Sequence, residues 1–146
     1  MSTAFDLHVV FDCADPDKLA RFWMEALGGY DFPFGVPEGF ASWDEWADAN
    51  NIPVDQRNVG RTLVDQDRDR PDIFFLQVPE PKVAKNRVHL DIKVAPGLSG
   101  EDRRTRIEEE AERLIALGAS VAVRMDAADG FHLVMQDPEG NEFCLA

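Results

Sequence analysis

Two stretches of this sequence begin in the same way, and this repetition strongly limits the folds that the chain can adopt. In residues 7–13 and in residues 88–94 every second side chain is apolar, and a histidine occupies the second position, His8 in one and His89 in the other. A period of two is typical of a half-buried strand. Each strand directs its histidine away from its apolar face, so we predict two copies of one unit with a site between them.

The first histidine strand is followed by the signals of a helix. Asp15 is a favoured N-cap residue, Pro16 is a favoured first helical residue, and Gly28 is a typical stop signal. Leucine, phenylalanine and tryptophan recur between these signals at helical spacing. We therefore predict a helix over residues 16–27 whose apolar stripe packs on a sheet.

The second histidine strand is followed by the same order of elements. An apolar stripe at helical spacing predicts a helix over residues 101–117. The stripe consists of Ile107, Ala111, Leu114 and Ile115. Three strands are predicted after this helix, and they cover residues 121–125, 131–136 and 142–145. The second half of the chain therefore has the order βαβββ.

The first half follows this order with a long insertion at about residues 32–70. Prolines, glycines and acidic residues interrupt its pattern. Residues 40–46 fit a short strand, and equally a turn that leads into a helix over residues 43–50. Trp43 and Trp46 would share one face of that helix, where they either line a pocket or cap the core.

A proline-rich linker over residues 79–85 separates the two halves. The last strand of the first half is predicted at residues 72–78, and residues 61–64 fit the end of another strand. We therefore predict an α+β fold with two tandem βαβββ modules. Module one covers about residues 1–80, and module two covers about residues 86–146.

Charge and composition exclude several classes of partner. The sequence has 28 Asp and Glu against 15 Lys and Arg, a formal net charge of -13, which disfavours nucleic acid and anionic membranes. It has no long apolar run and no basic leader with an apolar segment, so neither a membrane span nor an export signal is expected. Cys13 and Cys144 are its only cysteines, which predicts reduced thiols and a cytoplasmic protein, with Cys13 as a small core residue.

Four segments resemble the vicinal oxygen chelate superfamily, which includes glyoxalase I, the bleomycin-resistance proteins and the extradiol dioxygenases. They are the opening strand with His8, the helix at residues 15–30, Lys-Asn-Arg-Val-His-Leu-Asp-Ile at residues 85–92, and Asp-Pro-Glu-Gly-Asn-Glu-Phe at residues 137–143. The last is the most specific, and the third resembles the glyoxalase-like domain branch. The resemblance implies that the sheets of the two modules curl around an open cavity that binds a small molecule.

The resemblance also implies one divalent metal ion in the cavity, either Zn, Ni, Mn or Fe. Its ligands come from the first and last strands of each module. The first-strand positions fall on His8 and His89, and the last-strand positions fall on Gln77 and on Cys144, with Glu142 as a neighbouring alternative. Glutamine cannot act as the base of a glyoxalase-type isomerisation. A thiolate ligand would favour zinc over magnesium or manganese.

Other polar residues are candidates for ligand contacts. Asp91 fits a role in orienting a histidine ring, and equally an ion pair with Lys93 or Arg87. Arg87 would suit an acidic ligand, and a solvated linker is the alternative. His132 alternates with apolar residues, so its side chain is expected to face the cavity. The ligand-binding candidates are Trp43, Trp46, Phe75, Gln77, Arg87, Asp91 and His132.

Three functional hypotheses remain open on the sequence. The first is a binding protein that holds an apolar or aromatic small molecule against Phe75, Trp43 and Trp46. The second is a metal-dependent lyase, isomerase or dioxygenase that uses the two strand histidines with Glu142 or Cys144. The third is a regulatory subunit with a vestigial cavity. The sheet edges of such modules favour pairing between chains, so a homodimer is expected.

Overall fold

A computed structural model describes residues 2–146 of the protein. The chain forms two compact units, of which the first ends at Pro81 and the second begins at Lys82. Each unit contains one four-stranded mixed sheet and at least one helix, so the α+β class is confirmed. Among the described residues, none of the helices is both long and apolar enough to cross a membrane.

The first unit has the order βαβββ with extra helical turns between its second and third strands. Its strand order is β1-β4-β3-β2, in which β1 runs parallel to β4 and the other neighbours are antiparallel. The elements are β1 (Val9–Cys13), α1 (Pro16–Leu27), β2 (Tyr30–Asp31), α2 (Trp43–Ala49), a 3-10 turn (Val54–Gln56), β3 (Gly60–Asp65) and β4 (Ile73–Gln77).

The second unit repeats this order without an insertion. Its strand order is β5-β8-β7-β6, in which β5 runs parallel to β8 and the other neighbours are antiparallel. The elements are β5 (Asp91–Ile92), α3 (Gly100–Ala116), β6 (Ser120–Ala127), β7 (Gly130–Gln136) and β8 (Glu142–Leu145).

Helix α1 begins and ends at the predicted residues because its signals are local. The Asp15 carboxylate accepts the N–H of Lys18, and Gly28 ends the helix with a φ of 64°. Trp23 is 1% exposed, and its ring lies 5.1 Å from that of Phe11 on β1. The apolar stripe of α1 therefore packs on the first sheet, as predicted.

The insertion of the first unit is shorter than predicted, because strand β3 lies inside the predicted range. The sequence indicated only the end of a strand at residues 61–64, because polar residues interrupt the apolar pattern of β3. Arg61 Nε lies 3.2 Å from Asp17 Oδ1, and Asp65 is 2% exposed beside Arg70. These ion pairs let charged side chains occupy a largely buried strand. Of the two alternatives for residues 40–46, the structure has the helix, which begins at Trp43.

Strand β5 is shorter than the predicted strand over residues 88–94. Only Asp91–Ile92 forms a regular strand, although the Cys144 N–H donates to Leu90 and the Val94 N–H donates to Ala146. Val88 is 81% exposed, so the apolar alternation does not extend to its first residue.

The apolar stripe of α3 differs from the prediction at one position. Ile115 is 47% exposed, whereas Glu110 is buried at 7%. Glu110 lies between Arg106 and Arg113, whose guanidinium groups hydrogen-bond to its carboxylate. Paired charges thus occupy a position that the hydrophobic pattern assigned to solvent.

Candidate functional site

The second sheet has one face covered by α3 and one open face. Directly paired residues share a face, and successive residues alternate between faces. On the covered face, Leu133, Met135 and Phe143 are almost fully buried. The register pairs Asp91 with Cys144, and Cys144 with Val134, on the open face.

Three metal-ligating groups meet on this open face. His89 Nδ1 lies 3.2 Å from Asp91 Oδ1, and one donor atom each from His89, Asp91 and Cys144 lies within 4.8 Å of the others. The histidine and the aspartate are each 43% exposed, while Cys144 is buried. Parallel pairing of β5 with β8 creates this group, which we call the His89 cluster. Within residues 2–146 it is the one group of this kind.

The thiol of the His89 cluster is protonated at neutral pH. Burial raises the pKa of Cys144, and the charge of Asp91 and a hydrogen bond to it raise the pKa further, against a smaller opposing effect of Lys85 and Lys93. A catalytic cysteine is normally activated by a lowered pKa. The arrangement therefore does not favour a nucleophilic thiol, and it leaves the three side chains suited to metal or ligand binding.

Glu142, the alternative metal ligand, has other partners. Its carboxylate accepts the backbone N–H of Asn86 at 2.9 Å and lies 3.1 Å from Lys82 Nζ. Burial raises the pKa of Glu142, but the N–H of Asn86 and the ammonium of Lys82 outweigh it and lower the pKa to about 2. Glu142 is therefore an anchor for the segment that precedes β5, and it is not a member of the His89 cluster.

His8 belongs to the first unit and precedes β1 by one residue. Its Nε2 lies 3.8 Å from Asp72 Oδ2, and its side chain is 60% exposed. It lines an open cleft of about 420 Å³. The lining also includes Phe5, Leu7, Arg68, Arg70 and Asp72.

Two predicted site residues of the first unit lie on the face that α1 covers. Phe75 pairs with Phe11 and Gln77 pairs with Cys13, and Phe75 is 0% exposed. Gln77 Nε2 donates to the Ala14 carbonyl at 3.2 Å. Phe75 is therefore too buried to contact a ligand. Gln77 is exposed at the end of β4, but it is on the α1 side of the sheet, whereas Phe74 and Leu76 alternate onto the open face.

The remaining candidates are accessible. Trp43 and Trp46 meet edge to face on α2 with ring centroids 5.5 Å apart, and Trp43 is 46% exposed. Arg87 is exposed, and His132 is half-buried on the open face of the second sheet. The sequence reasoning missed two apolar residues of that face, Val123 and Met125, which are 49% and 41% exposed. The alternation of β6 was the signal for them.

The motif at residues 137–143 is built around a structural turn. Asp137 is 3% exposed, and its Oδ1 accepts the N–H groups of Glu139 at 2.9 Å and Asn141 at 3.0 Å. The Asn141 side chain donates to the same carboxylate. Aspartate and asparagine are thus required at these positions to close the hairpin between β7 and β8.

Comparison with solved structures places the fold. The chain is similar to a possible glyoxalase from Bacillus cereus, at 15% identity over 98% of each chain and a TM-score of 0.58. It is also similar to a variant of the fosfomycin resistance protein FosX from Listeria monocytogenes, complexed with Mn(II) and 1S,2S-dihydroxypropylphosphonic acid, at 12% identity over 99% of this chain and 92% of that chain, with a TM-score of 0.58.

A third similar structure is the bleomycin-binding protein from Streptomyces verticillus complexed with copper(II)-bleomycin. It shares 13% identity over 100% of this chain and 98% of that chain, with a TM-score of 0.52. At these identities the likeness shows the fold alone. No curated protein matches the sequence. Residues 8–146 match the family model of the glyoxalase-like domain. The predicted relationship to the vicinal oxygen chelate superfamily is therefore confirmed, and the chain belongs to the glyoxalase-like domain family.

Proposed function

We propose that the protein binds a small molecule on the open face of its second sheet. The observation that supports this is the His89 cluster, which places an imidazole, a carboxylate and a thiol on one sheet face. The same face carries His132 and the exposed side chains of Val123 and Met125. Apolar surface with a few convergent polar groups is typical of a ligand site.

The chemistry of these groups indicates a ligand that has both oxygen atoms and an apolar part. The imidazoles can donate hydrogen bonds to oxygen atoms of the ligand, and the valine and methionine offer apolar contact. Contacts of the ligand with Trp43, Trp46 and Arg87 stay predictions. Phe75 and Gln77 are left out of the proposed site because both belong to the first unit. Phe75 is buried beneath α1, and the exposed Gln77 side chain donates to the Ala14 carbonyl.

The experiment is a thermal-shift screen with aromatic metabolites and antibiotics, followed by calorimetric titration of each hit. A ligand that binds the folded state raises the melting temperature by mass action. We expect His132→Ala to weaken binding, and Glu109→Gln, an exposed change on α3, to leave it unchanged. A hit that both variants bind equally well would place the ligand elsewhere.

A metal-dependent enzyme is the second candidate function, and the composition of the His89 cluster favours it. Nitrogen, oxygen and sulfur donors together suit Zn²⁺, and three protein ligands would leave a coordination position open for substrate. The protonated state of Cys144 does not prevent this, because zinc binding releases the thiol proton. When bound, the ion would supply Lewis-acid chemistry. The residues present therefore fit a zinc ion.

The test is the metal content of protein purified without a histidine tag. Plasma emission spectrometry should show near-stoichiometric metal in the wild type and its loss in His89→Ala and in Cys144→Ser. His8→Ala, in the first unit, tests the ligand set that the superfamily implies, because loss of metal in this variant would add His8 to the ligands. Absence of metal after incubation with Zn²⁺, Ni²⁺, Mn²⁺ and Fe²⁺ would eliminate the enzyme candidate and leave the binding proposal standing.

A further inference from the structure

Strand β6 forms one outer edge of the second sheet. Within the described chain its single neighbour is β7, and β5 lies at the opposite edge. It is eight residues long, and none of its side chains is buried. Every second residue of an edge strand directs its N–H and C=O away from the sheet. Such a row of unpaired groups can accept another strand.

The sequence at the centre of this edge is self-complementary. Residues 123–127 read Val-Arg-Met-Asp-Ala. If a second copy lies antiparallel with Met125 opposite Met125, Arg124 of each copy faces Asp126 of the other. Opposite charges at directly facing positions stabilise a strand pair. Val123 and Ala127 also face each other on the open side of the sheet.

The two neighbouring pairing registers are unfavourable because they place like charges opposite each other. A two-fold axis that continues the sheet places the open faces of both copies on the same side. Sliding one copy past the other therefore keeps this arrangement only in steps of two residues. One neighbouring register sets Arg124 against Arg124, and the other sets Asp126 against Asp126. Like charges directly opposite each other are destabilising. The charge pattern therefore selects the register centred on Met125.

Contacts within one copy hold these charges in place. Arg124 pairs with Glu108, and Asp126 pairs with Arg104, both on α3. The second copy would extend these pairs into an alternating row of charges along the α3 side. A register shift between Val121 and Val123 interrupts the β6–β7 ladder. This irregularity precedes the self-complementary segment, so it limits the pairing to residues 123–127.

We propose that two copies of this protein associate through antiparallel pairing of residues 123–127, which continues the second sheet across a two-fold axis at Met125. The pairing is isologous, because the same patch serves both copies. Its short length makes it a weak, concentration-dependent dimer. The inference rests on the edge of β6 and not on the presence of a ligand. The His89 cluster lies at the opposite edge of the sheet, although Val123 and Met125 also belong to the open face proposed for ligand binding.

The first test uses charge reversal on the full-length chain, measured by sedimentation equilibrium. Arg124→Glu and Asp126→Lys each create two like-charge pairs in the homodimer, so each should weaken self-association by roughly tenfold or more. A mixture of the two variants restores both attractive pairs between unlike chains and should form a heterodimer. Any folding defect within either variant is still present in the mixture. Recovery of self-association in the mixture therefore reports on the interface alone.

The second test is disulfide cross-linking at Met125, the residue on the proposed two-fold axis. Facing Cα atoms in an antiparallel pair are close enough for a disulfide. Met125→Cys should give a cross-linked dimer on mild oxidation. Val123→Cys, at a similarly exposed position on the same strand, should not, because it faces Ala127 of the other copy. The native cysteines are buried, so the wild type serves as the background control.

Several results would overturn the proposal. They are a wild type that stays monomeric at high concentration, a mixture of the charge variants that associates no better than either variant alone, and equal cross-linking at positions 123 and 125. A dimer that survives both charge reversals would likewise exclude this edge as its interface. Circular dichroism of each variant confirms that it is folded.

Discussion

His89 Nδ1 lies 3.2 Å from Asp91 Oδ1, so the two polar residues that alternate along the start of β5 contact each other directly. A carboxylate on one ring nitrogen fixes the orientation of an imidazole and makes its other nitrogen a better ligand. Cys144 comes to the same place through the parallel pairing of β5 with β8. This relationship connects the sequence-level histidine pattern with a chemically defined cluster.

Removing the charge of Asp91 should weaken metal binding. We expect Asp91→Asn to lower Zn²⁺ affinity by roughly 10- to 100-fold, because the imidazole loses the carboxylate that orients it and the cluster loses an anionic donor. Competition with a chromophoric chelator measures the affinity. Asp129→Asn, an exposed change in the β6–β7 turn, is the matched control. Equal affinities in the two variants would show that Asp91 neither binds the ion nor orients His89.

Acid should destabilise the first unit through Asp65. Its carboxylate accepts a hydrogen bond from the Arg70 guanidinium at 2.8 Å, and this bond, with the backbone N–H groups of Asp69 and Arg70, lowers the pKa of Asp65 to about 2 against the opposing effect of burial. The pKa in the folded state lies below the ordinary value of 3.8. The stabilisation is therefore complete above that value and is lost as the pH falls through it towards about 2.

Urea unfolding of wild type and Asp65→Asn tests this prediction. The free energy of unfolding of the wild type should exceed that of the variant at about pH 6, and the difference should shrink as the pH falls towards about 2. Asp67→Asn, an exposed change in the turn that follows β3, should differ little from the wild type at either pH. A difference for Asp65→Asn that does not change with pH would contradict the assignment.

Gly118, which follows the end of α3, should not tolerate a side chain. Its φ is 112°, and an added Cβ would meet Pro138 Cγ at 3.3 Å. We expect Gly118→Ala to lower the free energy of unfolding by about 1–3 kcal/mol. Gly35→Ala is the control, because that glycine has no positive φ and open space around it. Chemical denaturation of both variants measures the effect, and similar values for both would refute the strain argument.

Trp23 and Trp43 should differ strongly in their contribution to the free energy of unfolding. Trp23 is 1% exposed and contacts Phe11, whereas Trp43 is 46% exposed. We expect Trp23→Ala to cost about 3–5 kcal/mol of unfolding free energy, because a large cavity opens in the core. Trp43→Ala should cost well under half of that. Denaturant titration followed by circular dichroism compares them, and equal costs would mean that α2 is packed more tightly than its exposure indicates.

The sequence by itself determined the elements whose signals are local. The cap at Asp15, the proline at the first helical position and the stop at Gly28 fix α1 through hydrogen bonds between near neighbours. The same holds for the Asp137 turn, whose carboxylate binds N–H groups only a few residues away. Strand β8 has the predicted bounds because its alternation follows directly after this turn. Strand β3 was predicted only in part, as the end of a strand at residues 61–64, because its charged residues are paired with partners that the local pattern does not reveal.

Only the tertiary structure decided which side chains meet. Register between distant strands places Gln77 on the face that α1 covers, and a shift of one residue would have placed it on the open face. The same kind of pairing brings Cys144 to Asp91 and His89, while Lys82 and Asn86 engage Glu142. These outcomes depend on hydrogen bonds and packing between segments far apart in the chain. Alternation within one strand gives its two faces, but it does not say which face is covered or what lies opposite.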